Sequence, residues 1–299
     1  MMNKNQKTVF VNLLLAILLT IGCLTLFKNS NNKPRIEKDI GKDELPETDS
    51  SLATDKYEAK SEEPLAVVGD RNTSVEELEE YLSTDKIHIV VEVADVYRYP
   101  STHSETVTQA LHGEPVRVLS PRDSWAEIAL PDQFNYHGWV QVSTLGIIPS
   151  SWKEANRKIV SVASAEVRTV PQKDAQVLRV LPLGTVVASD PMTKEGDFTL
   201  VYLVNGQKGF VWSKDMLDDR QQNAAWISRA EILTTARQLL GQPYLWGGMT
   251  TGGLDCSGFI HTVFKVHGIL LHRDADLQYL NDGVSVASNE LEPGDLVFF

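Results

Sequence analysis

The sequence predicts a multidomain chain: two small all-β barrels followed by an α+β domain. Three observations lead there. A pattern of short alternating strands fills residues 87–150 and is repeated over 157–219. After Asp218-Asp219-Arg220 a helical period replaces the two-residue one. From Gly241 onward, glycine pairs gather around a lone cysteine.

Residues 1–27 form the first element. Lys4 and Lys7 precede an apolar run from Val9 to Phe27, long enough to cross ~30 Å of hydrocarbon as a helix. The run fits an uncleaved transmembrane anchor, a lipid-bearing segment at Thr20-Ile21-Gly22-Cys23, or a cleaved signal peptide. Each places the body of the protein outside the cytoplasm, with the short basic end inside. Residues 28–86 are polar and poor in aromatics, punctuated by Pro34, Pro46 and Pro64, and acidic residues outnumber basic ones. Such a composition buries too little surface to offset ordering entropy, so a disordered stalk is expected, with a short capped helix at Ser74.

The two β segments follow. Val90 to Leu119 reads VVEVADVYRYPSTHSETVTQALHGEPVRVL, and Ile159 to Ala188 reads IVSVASAEVRTVPQKDAQVLRVLPLGTVVA. Each has a β-rich opening, a proline-bearing loop, and a glycine (Gly113, Gly184) ahead of a valine-rich strand. Each closes alike, on Gly138-Trp139-Val140 and Gly209-Phe210-Val211. Short alternating strands with regular turn signals indicate small antiparallel barrels. The third domain, 225–299, opens with apolar residues at 227, 232, 233, 236, 239 and 240 and a stop at Gly241, predicting a helix over Ile227–Leu240.

The net charge of −12 argues against a nucleic-acid partner, which selects a basic surface. Only two cysteines exist, and Cys23 lies in the apolar segment, so Cys256 has no disulfide partner in the body. It is either a small buried apolar residue or a thiol with a task. Gly247-Gly248 and Gly252-Gly253 suggest a flexible approach, and Asp255 can cap a helix that starts at Cys256. Phe259, Ile260, Val263 and Phe264 would face the domain interior. A cysteine at a helix start meets orphan N–H groups and the positive end of the macrodipole, which favour negative charge on sulfur. No zinc-ligand spacing is present and no cofactor is implied.

Four linked strings carry a resemblance: QPYLWGG at 242–248, DCSGF at 255–259, RDADLQ at 273–278 and GDLVFF at 294–299. Together they resemble the NlpC family of papain-like cysteine peptidases. With two barrels resembling bacterial SH3-like domains in front, the chain is similar to the γ-D-glutamyl-L-diamino acid endopeptidases. The resemblance implies a peptidoglycan or muropeptide hydrolase of the cell envelope, cutting stem peptides through a Cys256 acyl-enzyme. It implies that Ser257 helps bind substrate or oxyanion, and that Asp274 holds the free amine of a terminal L-Ala; otherwise Asp274 pairs with Arg273 or caps a helix. Tyr136, in the Phe134-Asn135-Tyr136 turn of the first barrel, would close the substrate end, or is an ordinary turn tyrosine. Tyr244 would line the cleft beside Cys256, or is structural. A second acidic contact is expected from the first barrel but has no place in the sequence, because Tyr97-Arg98-Tyr99-Pro100 occupies the loop where it would stand.

The resemblance also implies a histidine base on a strand after GDLVFF, beyond residue 299, so the sequence is expected to be a fragment, inactive as it stands. His261, His267 and His272 are expected to be solvated or set back from the nucleophile, and Leu296–Phe299 to be an unpartnered strand. A non-catalytic adaptor that binds peptidoglycan through a degenerate peptidase domain is the competing reading, and an amidase or acyltransferase on the same fold is a third.

Overall fold

A computed structural model describes residues 87–148, 152, 155–219 and 228–298. The apolar segment, the acidic stretch and the helix expected at Ser74 lie outside them. Among the described residues, no helix is long and apolar enough to cross a membrane.

Barrel 1 is built from β1 (Ile87–Ile89), β2 (Val93–Tyr97), β3 (Thr106–Leu111), β4 (Arg117–Arg122), β5 (Trp125–Leu130), β6 (Tyr136–Gln141) and β7 (Leu145–Ile147). All its pairings are antiparallel, with a five-stranded order β3-β2-β6-β5-β4 and β1 paired to β7. Alternation decides which side chains go inward. Ala94 and Val96 of β2 are buried while Asp95 between them is exposed, and Ile128, Leu130 and Val140 complete the core.

Barrel 2 comprises β8 (Asn156–Val160), β9 (Ser164–Arg168), β10 (Val177–Pro182), β11 (Val186–Glu195), β12 (Phe198–Tyr202), β13 (Lys208–Trp212) and β14 (Met216–Asp218). It repeats barrel 1 at an interval of 71 residues, from Gly113 to Gly184 and from Gly138 to Gly209. The glycines answer the same demands in both copies. Gly113 and Gly184 have φ of +82° and +84°. A Cβ on Gly138 would stand 2.5 Å from Val96 and 2.9 Å from the Tyr97 carbonyl; one on Gly209 would stand 2.4 Å from Val167 and 3.0 Å from the Arg168 carbonyl. Only hydrogen fits where β6 crosses β2, and where β13 crosses β9.

A small apolar cluster of Ile148, Trp152, Ala188 and Val204 joins the barrels. Beside it His112 is buried between two backbone partners, 3.1 Å from the Val90 carbonyl and 3.1 Å from the Val204 N–H. The Val204 N–H donates to Nε2, so Nδ1 carries the proton. Burial holds this imidazole down at about 4.

The third domain contributes α1 (Arg229–Arg237), β15 (Met249–Thr250), β16 (Gly253–Leu254), α2 (Cys256–Val266) and α3 (Ala275–Asn281). Helix α1 is shorter than the sequence period suggested: turns follow from Gln238, and Leu240 is exposed. Residues 296–298 have no strand neighbour among the described residues, and without one to share hydrogen bonds they are not a strand. The glycine pairs are not a flexible approach. They build the tight β15–β16 hairpin, with Gly247 at φ +76° and Gly253 at φ +156°.

Candidate active site

Helix α2 begins at Cys256 because Asp255 caps it, accepting from the Gly258 N–H at 2.6 Å. The other Asp255 oxygen accepts from the Gly247 N–H at 3.0 Å, tying the hairpin to the helix start. Arg273 then grips the same carboxylate with both ends of its fork, at 3.0 and 2.6 Å. It also donates to Ser257 Oγ at 3.0 Å and, through Nε, to Thr108 Oγ1 of barrel 1 at 2.7 Å. Arg273 is 1% exposed, so its charge depends wholly on these partners. Gln278 of α3 adds a bond to the Ser257 carbonyl at 3.1 Å. Asp255 and Ser257, on either side of Cys256, are thereby held, while Cys256 itself is exposed.

Barrel 1 reaches this site from one side. Gln109 accepts from the Met249 N–H at 3.0 Å, and Gln133 holds Thr108 at 2.8 Å. Gly247 packs against Thr106 so closely that a Cβ would lie 2.6 Å from its carbonyl oxygen. Three consecutive residues of the third domain touch barrel 1. His272 stacks on Phe134 with centroids 4.0 Å apart, Arg273 meets Thr108, and Asp274 accepts from Tyr136 at 3.2 Å. Phe134 and Asn135 both lie in the left-handed region (φ 55° and 59°), a costly turn for non-glycine residues that aims Tyr136 at Asp274.

Burial first, then the charge of Asp274, pushes the Tyr136 phenol up to about 12. Burial likewise holds Asp274 above the usual carboxylate range, against the lowering effect of Tyr136 and Arg273. Asp274 occupies the cap position of α3 without capping it, and Arg273 is engaged by Asp255, so neither of its simpler roles applies. Tyr244 is 67% exposed, its backbone bridged to Leu254 two residues before Cys256, and burial followed by the charge of Cys256 raises its phenol. Ser257 is buried, with its hydroxyl held between Arg273 and Asp255.

The seven histidines all lie among the described residues, and none bonds to Cys256. His272 is held by Asp282 at 2.6 Å and His267 by Thr235 at 2.9 Å. His261 takes the set-back alternative: it is wholly buried, 2.7 Å from the Leu271 carbonyl, and burial lowers it to about 3. The sequence alone also missed Glu105. This residue opens the approach to β3, accepts from the Trp246 indole N–H at 2.8 Å and pairs with Arg98 at 2.6 Å. A line-by-line comparison of the repeats would have flagged the docking residues, since Gln109 and Glu114 stand where barrel 2 has Val180 and Thr185.

An exposed cysteine at a capped helix start, behind a glycine-shaped hairpin, coincides with a family match: residues 241–299 fit the NlpC/P60 family. The chain carries an NlpC/P60 domain. Residues 96–145 match the bacterial dipeptidyl-peptidase SH3 domain, which is barrel 1. The architecture is thus SH3-like barrels followed by the papain-like NlpC/P60 domain, as the sequence indicated. The gamma-D-glutamyl-L-lysine dipeptidyl-peptidase of Bacillus cereus is 32% identical over 206 residues, covering 64% of this chain and 59% of that one. Its Bacillus subtilis namesake is 32% identical over 200 residues, covering 64% and 63%. The chain therefore spans about three fifths of the length of these relatives. The crystal structure of an NlpC/P60 family protein from Bacillus cereus superposes with a TM-score of 0.61 at 25% identity, covering 70% of this chain and 81% of that one.

Proposed function

We propose that this protein is a peptidoglycan hydrolase of the cell envelope, a cysteine peptidase that cuts the γ-D-glutamyl–diamino acid bond of stem peptides. The observation that carries the reading is the Tyr136–Asp274 pair, contributed by two different domains and adjacent in the chain to Arg273, which grips the residues on either side of the exposed Cys256. The names of the two Bacillus relatives support it. A dipeptidyl-peptidase measures two residues from a free N-terminus, so it needs an anion where the terminal amine sits. Asp274 supplies one, with Tyr136 orienting it, and Glu105 is the second acidic contact expected from barrel 1.

In this reading the Cys256 Sγ attacks the γ-carbonyl, and backbone N–H groups at the start of α2 hold the oxyanion. The C–N bond breaks as the leaving amine takes up a proton, leaving a thioester. Water then releases the acid and restores the thiol. The reading requires a histidine base, which no described residue supplies to Cys256. Residues 1–27 would hold the protein at the membrane, with the catalytic body outside.

The test is hydrolysis of L-Ala-γ-D-Glu-L-Lys and its diaminopimelate counterpart by the full-length protein, beside Cys256→Ala. Cleavage after D-Glu, lost in Cys256→Ala, is expected. Tyr136→Phe or Asp274→Asn should slow the free-amine substrate by about tenfold or more, and an N-acetylated substrate far less. Equal losses on both substrates remove the amine-anchor assignment. Binding without any cut makes the protein a non-catalytic peptidoglycan-binding adaptor.

A further inference from the structure

The turn that leads into the strand after β5 differs from its copy in barrel 2. At the 71-residue interval of the repeat, Asn205-Gly206-Gln207 of barrel 2 stands where barrel 1 has Phe134-Asn135-Tyr136. Barrel 2 makes its turn without strain: of the three residues only Gly206 has a positive φ, +80°, and a Cβ there would meet nothing within 4 Å. Barrel 1 puts two side chains in the left-handed region instead. Asparagine tolerates that region, but a residue as bulky as Phe134 is an outlier there. Phe134 is also 47% exposed, so burial in its own barrel does not account for it.

What meets the Phe134 ring is His272. The ring centroids are 4.0 Å apart and the planes lie 12° from parallel. The imidazole is fixed without help from Phe134. Asp282, just past the end of α3, accepts from the His272 Nδ1–H and from the His272 backbone N–H, both at 2.6 Å. Gln278 holds the His272 carbonyl at 2.8 Å. The Asp282 side chain is 6% exposed, so little water competes for it.

Phe134 lies two residues before Tyr136, and His272 two residues before Asp274. One stack therefore registers both ends of the 3.2 Å hydrogen bond between Tyr136 and Asp274. On the barrel side the turn is held by the Phe134 N–H on the Pro131 carbonyl at 3.1 Å and the Asn135 N–H on the Leu130 carbonyl at 2.9 Å. Arg117 adds a bond to the Asn135 amide oxygen at 3.0 Å. Docking of the domains as such does not need the stack. Thr108–Arg273, Gln109–Met249 and Glu114–Lys265 are buried and make that interface, whereas Phe134 sits at its exposed edge.

We propose that His272 is the positioning residue for the Tyr136–Asp274 pair: held by Asp282, its ring seats Phe134 and thereby keeps the Tyr136 hydroxyl on Asp274. The consequence for substrates rests on the proposed function, in which that pair selects a free terminal amine. Selectivity then depends on Phe134, His272 and Asp282, which act through the pair rather than on the thiol.

The experiment compares the full-length protein with Phe134→Ala, Phe134→Tyr and His272→Ala on L-Ala-γ-D-Glu-L-Lys and on its N-acetylated form. Phe134→Ala and His272→Ala should each lower kcat/KM for the free-amine peptide by about three- to tenfold, the worth of one aromatic pair, mainly through KM. The acetylated peptide should be turned over as before, and Phe134→Tyr, which keeps the ring, should keep the original ratio. Combined with Asp274→Asn, neither alanine variant should add a further loss. Carbon-13 NMR of the tyrosine rings needs no substrate: Tyr136, held up to about 12 in the intact pair, should ionise nearer the ordinary value of 10 in Phe134→Ala. A Tyr136 titration unmoved by Phe134→Ala overturns the proposal. So does a preference for the free amine that Asp274→Asn abolishes while the stack variants slow both peptides equally or add to its loss. A titration that moves while neither Asp274→Asn nor Phe134→Ala alters the preference upholds the stack and removes the amine-anchor reading instead.

Discussion

Barrel 1 and barrel 2 have the same strand plan and the same glycines at the same spacing, yet they bury different chemistry. Barrel 1 sends polar side chains into the third domain: Thr108 to Arg273, Gln109 to the Met249 backbone, Tyr136 to Asp274. It also pairs Glu114 with Lys265 of α2, both 1% exposed, with Asp132 3.7 Å from the same ammonium. Burial pulls Lys265 down, but Glu114 and Asp132 together overcome it and hold it above the ordinary lysine range. Barrel 2 meets the third domain more lightly, through Gln238, which bonds the Ser161 carbonyl and the Ala163 N–H at 3.0 Å each. A duplicated fold conserves what the backbone crossing needs and leaves each exposed face free to acquire a separate role.

The largest break in this comparison should come from the buried charges. Lys265→Met leaves the buried Glu114 without its cation, and should destabilise by about 3–5 kcal/mol in urea titrations, detaching barrel 1 from α2. Lys265→Met combined with Glu114→Gln should recover part of that loss. The single variant costing no more than the double would refute the pairing. Arg179 pairs with Glu92 at 2.6 Å in a half-exposed setting, so Arg179→Ala should cost at most about 1 kcal/mol, the smallest effect in the series.

Between these lies the barrel–barrel joint. Folding depresses His112 to about 4 from 6.5, so its contribution is complete above 6.5. Below that the unfolded chain takes up a proton that the folded one resists, and stability falls until about 4. The loss is on the order of 3 kcal/mol, and thermal melts from pH 7 to 4 should show a shallower fall in His112→Gln. The symmetric glycines come next. Gly138→Ala and Gly209→Ala should each cost about 1–3 kcal/mol by overpacking the strand crossing. Near-equal costs would confirm that the barrels are alike at the crossing and differ only in their outer faces.

The barrels were legible because period-two burial and recurring glycines are local in sequence. The helix at Cys256 was legible too, since an Asp cap, a small residue in the first turn and Phe259, Ile260 and Val263 on one face specify it without distant help. The Glu105 contact was not, because its partner Trp246 lies 141 residues away. The function of Arg273 was hidden for the same reason: its partners Asp255 and Thr108 lie 18 and 165 residues away.

By itself, then, the sequence determined the order of domains, the duplicated barrel, the cap that starts α2 and the identity of the thiol. Those features follow from backbone geometry and from contacts within a few residues. Only the tertiary structure decided that Tyr136 faces Asp274, that barrel 1 rather than barrel 2 builds the cleft, and that Lys265 and Arg273 are buried. Buried polar groups must find partners wherever the fold brings them, and such pairings leave no periodicity to read.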